Sequence, residues 1–99
     1  MEVKSTVNGK GGTCWLCARP LGRWIEWHHP VPKSRGGRDT VPLHPICHRT
    51  IHANLTNAQL ARMPVRAEAL LECEEIRRFV MWVSNKHPDF HAPTRRMKR

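Results

Sequence analysis

The sequence predicts a small α+β domain, with short strands and a helix in a metal-rich first half and further helices in the C-terminal half. Three observations lead there. From Cys14 to His52 the chain is dense in Cys, His, Trp, Gly and Pro, and helical periodicity enters only at the end. After Thr56, apolar residues recur at helical spacing. The 99 residues leave room for a single domain.

Residues 1–13 (MEVKSTVNGKGGT) are polar and glycine-rich and read as a flexible basic arm. Residues 14–55 form the first unit. Within it Arg23 to His29 (RWIEWHH) alternates β-branched and aromatic residues, a strand signal. Pro30 to Arg38 carries two prolines and two glycines and reads as a loop, and Thr40 to Leu43 as a short return strand. Pro45 suits the first turn of a helix carrying Cys47, His48, Ile51 and His52 and ending near Asn54. Residues 56–90 are a helical extension packing on that unit, over the open side of the strands. Thr56 is an N-cap for Asn57 to Met63, with Pro64 as the break. Leu70, Cys73, Ile76, Val80 and Val83 then share one helix ending near Lys86, with Trp82 in the core. Residues 91–99 form a basic tail, and no internal repeat is visible.

The core is thin. Leu, Ile, Val and Phe number 20, and the net charge is +9. A domain of this size buries only roughly two-thirds of its unfolded surface, so a disulfide or metal clamp is expected. The longest apolar run is Phe79 to Val83, and no secretory signal is recognisable, so the expected location is the cytoplasm. Thiols stay reduced there, which makes zinc the expected clamp for Cys14, Cys17, Cys47 and Cys73. Seventeen basic against eight acidic residues predict a polyanionic partner, with nucleic acid preferred over a membrane surface.

Cys14-x-x-Cys17 places two thiols on one tight turn, and His44-x-x-Cys47 offers a second pair at the same spacing. A structural Zn2+ site of Cys14, Cys17, His44 and Cys47 is expected. Cys73 is the alternative fourth ligand, although its position suits a small buried residue on a helix face. A redox pair at Cys14 and Cys17 would want a following helix, whereas Pro20 and Gly22 follow.

Five of the seven histidines fall between positions 28 and 52. His48 and His52, four apart on a helix, share a face. His28 and His29 are adjacent on a strand and point to opposite sides, so one joins the helical pair on a cation and the other faces substrate. Three imidazoles with an open position make a catalytic rather than a closed site. A free imidazole beside them can take a proton from water at neutral pH. A single zinc finger from Cys14, Cys17, His48 and His52 is the competing arrangement. It leaves His28, His29, His44 and Cys47 unemployed.

The doublet His28-His29, the loop Pro32-x-x-x-Gly36-Gly37 and the run Cys47-His48-x-x-x-His52 together resemble the His-Asn-His (HNH, ββα-metal) endonucleases over residues 14–55. The resemblance implies a β-hairpin and helix clasping a divalent ion, in the small phage or bacterial type with a zinc knuckle. His29 matches the general base. His28, His48 and His52 match the metal ligands, as in the nuclease colicins, with Mg2+ or Mn2+ expected and Zn2+ or Ni2+ as alternatives. The family's usual middle Asn is replaced by Asp39, which can accept a hydrogen bond but has no amide to donate.

Lys33, Arg35, Arg38 and Arg49 flank the site and are candidate phosphate contacts to DNA, centred on its backbone. Arg62, Arg66, Arg77 and Arg78 read as an exposed helix face. Trp15, Trp24 and Trp27 are expected to pack around the knuckle rather than stack on bases. The expected activity is metal-dependent DNA phosphodiester hydrolysis. A zinc-stabilised DNA-binding module that does not cut, or an RNase using the same site, are the alternatives.

Overall fold

The alternation around Trp27 produces a strand, β1 (Glu26–His28), in a computed structural model that describes residues 12–93. The expected arm and tail therefore fall largely outside the described residues. Strand β2 (Val41–Leu43) pairs antiparallel with β1, matching Glu26 to Leu43, Trp27 to Pro42 and His28 to Val41. Both strands are shorter than their sequence signals, and between them the Pro30–Gly37 loop folds on itself. It holds one 3-10 turn (Lys33–Arg35) closed by Gly36 at φ 88°, where a side chain would be strained. A Cβ on Gly37 would run into the carbonyl of Val31, so the loop's close packing requires glycine there.

Before the hairpin, Cys14 to Ala18 form a tight turn, with Ala18 N–H donating to the Cys14 carbonyl at 3.0 Å. Trp15 N–H donates to the Pro42 carbonyl at 2.9 Å, fastening the turn to β2. Helix α1 (Pro45–Asn54) starts from His44 as N-cap with Pro45 in its first turn. The His44 side chain caps nothing, because it is committed elsewhere. Ile46, Cys47, Thr50 and Ile51 face the interior. Helix α2 (Asn57–Arg62) opens with a capping box. Gln59 N–H donates to Thr56 Oγ1 at 3.1 Å, and Thr56 N–H to Gln59 Oε1 at 2.8 Å. Such caps are worth about 1 kcal/mol.

The single long helix expected through Leu70 and Val83 is two: α3 (Ala67–Leu70) and α4 (Glu74–Val83). At about 100° per residue, Ile76 and Val83 align on one stripe, whereas Leu70 would sit about 120° away. The break at Leu71–Cys73 lets both Leu70 and Ile76 reach the core, where they are 3% and 0% exposed. Cys73 becomes the half-buried N-cap of α4 rather than a buried residue on a helix face. Trp82 lies off the same stripe and is 49% exposed, not core. It stacks edge-on with Phe90 at 5.4 Å between ring centres.

The core gathers Leu16, Leu43, Ile46, Ile51, Leu60, Leu70, Ile76 and Val83. Helix α1 packs on β1 and on α4, so the extension's longest helix leans on the central helix rather than over the strands. Arg62, Arg66, Arg77 and Arg78 lie exposed as expected, and Arg78 pairs with Glu74 at 2.6 Å. Among the described residues, no helix is long and apolar enough to cross a membrane.

Candidate metal centres

Two clusters of ligand-type side chains flank helix α1. In the first, Cys14 and Cys17 come from the tight turn, His44 from the N-cap and Cys47 from the first turn of α1. Their sulfur and nitrogen atoms lie within 4.8 Å of one another, and all four residues are buried. This is the predicted Cys3His set, and Cys73 is not part of it. Such a buried group can hold a structural metal such as zinc.

The donor set fits a cation. His44 Nε2 donates to the Pro20 carbonyl at 2.9 Å, so Nδ1 carries the lone pair that faces the thiols, 3.4 Å from Cys17 Sγ. A carbonyl bond of this kind fixes ring and tautomer for a ligand. Burial pulls His44 down, but hydrogen bonds to the Cys14 and Cys17 sulfurs outweigh it and push the imidazole up to about 9. Proton and cation thus compete for one lone pair. Hydrogen bonds from Cys14 and Cys47, then His44 and Arg19, hold Cys17 far below the usual thiol value. The same sulfurs, with burial, drive Cys47 upward. Three packed thiols cannot all ionise without a positive ion among them.

Arg19 was not singled out by sequence, yet it touches this cluster. It is 6% exposed, and its Nε donates to Cys17 Sγ at 3.3 Å. Nothing but its place two residues after Cys17 could have flagged it.

The second cluster joins the strand to the helix. His28, His48 and His52 present ring nitrogens within 4.8 Å of one another. Ring centres are 5.1 Å (His28–His48), 5.3 Å (His28–His52) and 4.9 Å (His48–His52) apart, each pair edge-on. The hairpin register places His28 against Val41, where it faces α1 and is 2% exposed. Its Nε2 is buried and has no hydrogen-bond partner among the described residues. A buried polar atom without a partner carries a cost that a cation in the cluster would remove. Desolvation, then the neighbouring charges of His48, His52 and His29, lower His28 to about 4. Desolvation and His48 lower His52 as well. Neutral imidazoles are what a metal requires.

Glu26 is the second residue that sequence reasoning missed. Its Oε1 accepts from His48 Nδ1 at 2.8 Å. Strand period two puts Glu26 and His28 on one face, a signal that was available.

His29, just beyond β1, is half-buried and outside the cluster. Asp39 is exposed in the loop, and among the described residues no hydrogen bond joins it to His29. Lys33, Arg35, Arg38 and Arg49 are all exposed. Arg49 Nη2 lies 3.0 Å from His91 Nε2. Trp15 packs against the core and sits 6.1 Å from the His28 ring, as expected. Trp24 and Trp27, at 63% and 40% exposed, do not pack around the knuckle as expected.

Fold and clusters together define a small α+β protein with one thiol-rich and one histidine-rich centre on a shared helix. No protein-family model matches the chain, and no solved structure matches it. It is 39% identical over 83 residues to the uncharacterized protein YisB of Bacillus subtilis (strain 168), covering 79% of each chain. The chain belongs to the family of that protein.

Proposed function

We propose that the protein is a metal-dependent DNA endonuclease of the HNH type, with β1, β2 and α1 as its ββα-metal finger. The observation that carries this reading is the trio of His28, His48 and His52, with the partnerless His28 Nε2 inside it. Three imidazole rings at the junction of a hairpin and a helix suit an exchangeable divalent ion. The buried Cys3His set is a separate structural zinc site.

In this reading His28, His48 and His52 hold the ion, and Glu26 keeps the His48 ring turned with Nε2 free. When bound, the ion supplies a Lewis acid for the scissile phosphate and its leaving oxygen. His29, adjacent to the cluster but outside it, accepts the proton of the attacking water. Lys33, Arg35, Arg38 and Arg49 contact phosphates on either side, each adding about −0.9 to the slope of log affinity against log salt on duplex DNA. Asp39 falls in the slot of the family's usual Asn, but it lies exposed with no hydrogen bond to His29 among the described residues, so no orienting role is assigned to it.

Plasmid cleavage across Mg2+, Mn2+, Zn2+ and Ni2+ tests this. Wild type nicks or cuts, and His29→Ala loses about 10²–10⁴-fold in rate with fold and zinc content retained. DNA binding without cleavage by wild type in any metal, with affinity intact in His29→Ala, would leave a binding module instead. Cleavage confined to RNA would redirect the substrate.

A further inference from the structure

We propose that Arg19 is both the counter-charge and the strut of the Cys3His centre, so that metal loading there seats the segment from Lys86 to His91 against α1. The inference rests on the reading that this cluster holds a metal. It does not depend on nuclease activity.

The charge argument comes first. A divalent cation with three thiolates and a neutral imidazole leaves one net negative charge in a buried place. An uncompensated buried charge is costly. Arg19 is the cation that meets it, with Nε donating to Cys17 Sγ at 3.3 Å and Nη2 lying beside the His44 ring. Among the described residues no carboxylate pairs with Arg19, so without the cluster's negative charge a guanidinium that is 6% exposed would lack a counter-ion there. Each charge makes the other tolerable.

The same fork reaches outward. Arg19 Nη1 donates to the carbonyls of Lys86 at 3.2 Å and His87 at 2.7 Å, across more than sixty residues of sequence. These bonds take hold where α4 has ended and the chain turns back. The turned segment is itself ordered. Phe90 N–H donates to the His87 carbonyl at 2.8 Å, and Asp89 Oδ1 accepts from Arg23 N–H at 2.6 Å. A Cβ on Gly22 would collide with the Asp89 carboxylate, so the approach there is close. Pro88 to His91 then form one wall of a cavity of about 270 Å³ whose other walls are Trp24 and the start of α1. His91 meets Arg49 on α1. The planar fork makes this possible, because one side chain serves sulfur and two carbonyls together.

The test uses the full chain, zinc competition with a chromophoric chelator, and amide hydrogen exchange. Arg19→Met is expected to weaken zinc binding by about 10–100-fold, the range for losing a group that hydrogen-bonds a metal ligand. It should also speed exchange at the Lys86 and Phe90 amides well beyond any change in the middle of α1. Stripping zinc from wild type should speed the same two amides first. Arg19→Lys keeps the charge but not the fork, so zinc affinity should stay within a few-fold while protection at Lys86 and Phe90 is lost. That variant carries the test if Arg19→Met does not fold. Zinc affinity in Arg19→Met equal to wild type, or full protection in Arg19→Lys, overturns the proposal alone. A wild-type protein that takes up no metal overturns the metal reading with it.

Discussion

Glu26 Oε1 and His48 Nδ1 lie 2.8 Å apart, so a carboxylate on the strand decides which nitrogen of a helical imidazole is left free. The pairing crosses from β1 to α1 beside His28, which stands on the same strand face two residues on. With its Nδ1–H donating to Glu26, the His48 ring turns Nε2 away from the carboxylate.

Glu26→Ala is therefore expected to weaken divalent-cation binding at the histidine trio by about 10–100-fold. Its effect on thermal unfolding should be small, because the carboxylate is half-exposed. Glu26→Gln, whose amide oxygen still accepts, should recover part of the affinity. Calorimetric titration with Mn2+ or Ni2+ measures this, and equal affinity in all three proteins would contradict the role.

The histidine trio also predicts a pH dependence of stability. His28 is lowered by burial to about 4 in the folded chain, against about 6.5 when unfolded. Above 6.5 the ring is neutral in both states and costs nothing. As pH falls from 6.5 toward 4, the unfolded chain takes up a proton that the folded one refuses, and stability drops. The loss approaches about 3 kcal/mol by pH 4. The downward shift of His52 acts in the same direction. Urea unfolding of wild type and His28→Gln between pH 7.5 and 4.5 checks it, and parallel pH profiles would refute it.

At the other centre the sign of the metal linkage is set by His44 and Cys47. His44 sits at about 9 and Cys47 is driven above the ordinary thiol value, so both hold protons at pH 7.5 in the metal-free chain. A ligating imidazole and thiolate must lose them. Zinc binding at pH 7.5 should release at least about two protons, and apparent affinity should climb as pH rises toward 9. Proton release in a weakly buffered indicator solution reads this directly. Zinc uptake without acidification would contradict the ligand set.

Much of this was legible in the chain because spacing fixes it. The Cys14-x-x-Cys17 and His44-x-x-Cys47 pairs needed only their offsets and the Pro45 helix start, and His48 and His52 needed only the helical repeat. The contacts of Arg19 with the carbonyls of Lys86 and His87 join positions far apart, so no local pattern could announce them. The break between α3 and α4 was hidden for a different reason. Leu70 and Cys73 fit a helical offset from Ile76 loosely enough to suggest continuity, but burial of both Leu70 and Ile76 outweighs continuing the helix. The expected core place of Trp82 fails for another reason, since its angle on α4, about 120° from Ile76, turns it to solvent.

The two centres should come apart by mutation, because they meet α1 on different faces and at different depths. Cys14 is 2% exposed, and its loss leaves two buried thiols and His44 with an incomplete shell. Cys14→Ser is expected to abolish tight zinc binding and, with the clamp lost, to lower Tm by at least roughly 10 °C for a chain of this length. DNA cleavage should fall with the folded fraction and return in proportion when the assay is cooled. His52 lies at the exposed end of the trio, so His52→Ala removes a ligand without opening the core. It should keep zinc stoichiometry and Tm within a few degrees of wild type while second-cation affinity and cleavage are lost at every temperature. Zinc analysis, calorimetric scanning and cleavage on the same preparations separate the two patterns. Loss of zinc in His52→Ala, or a normal Tm in Cys14→Ser, would mean that the thiol and imidazole sets are not separate centres.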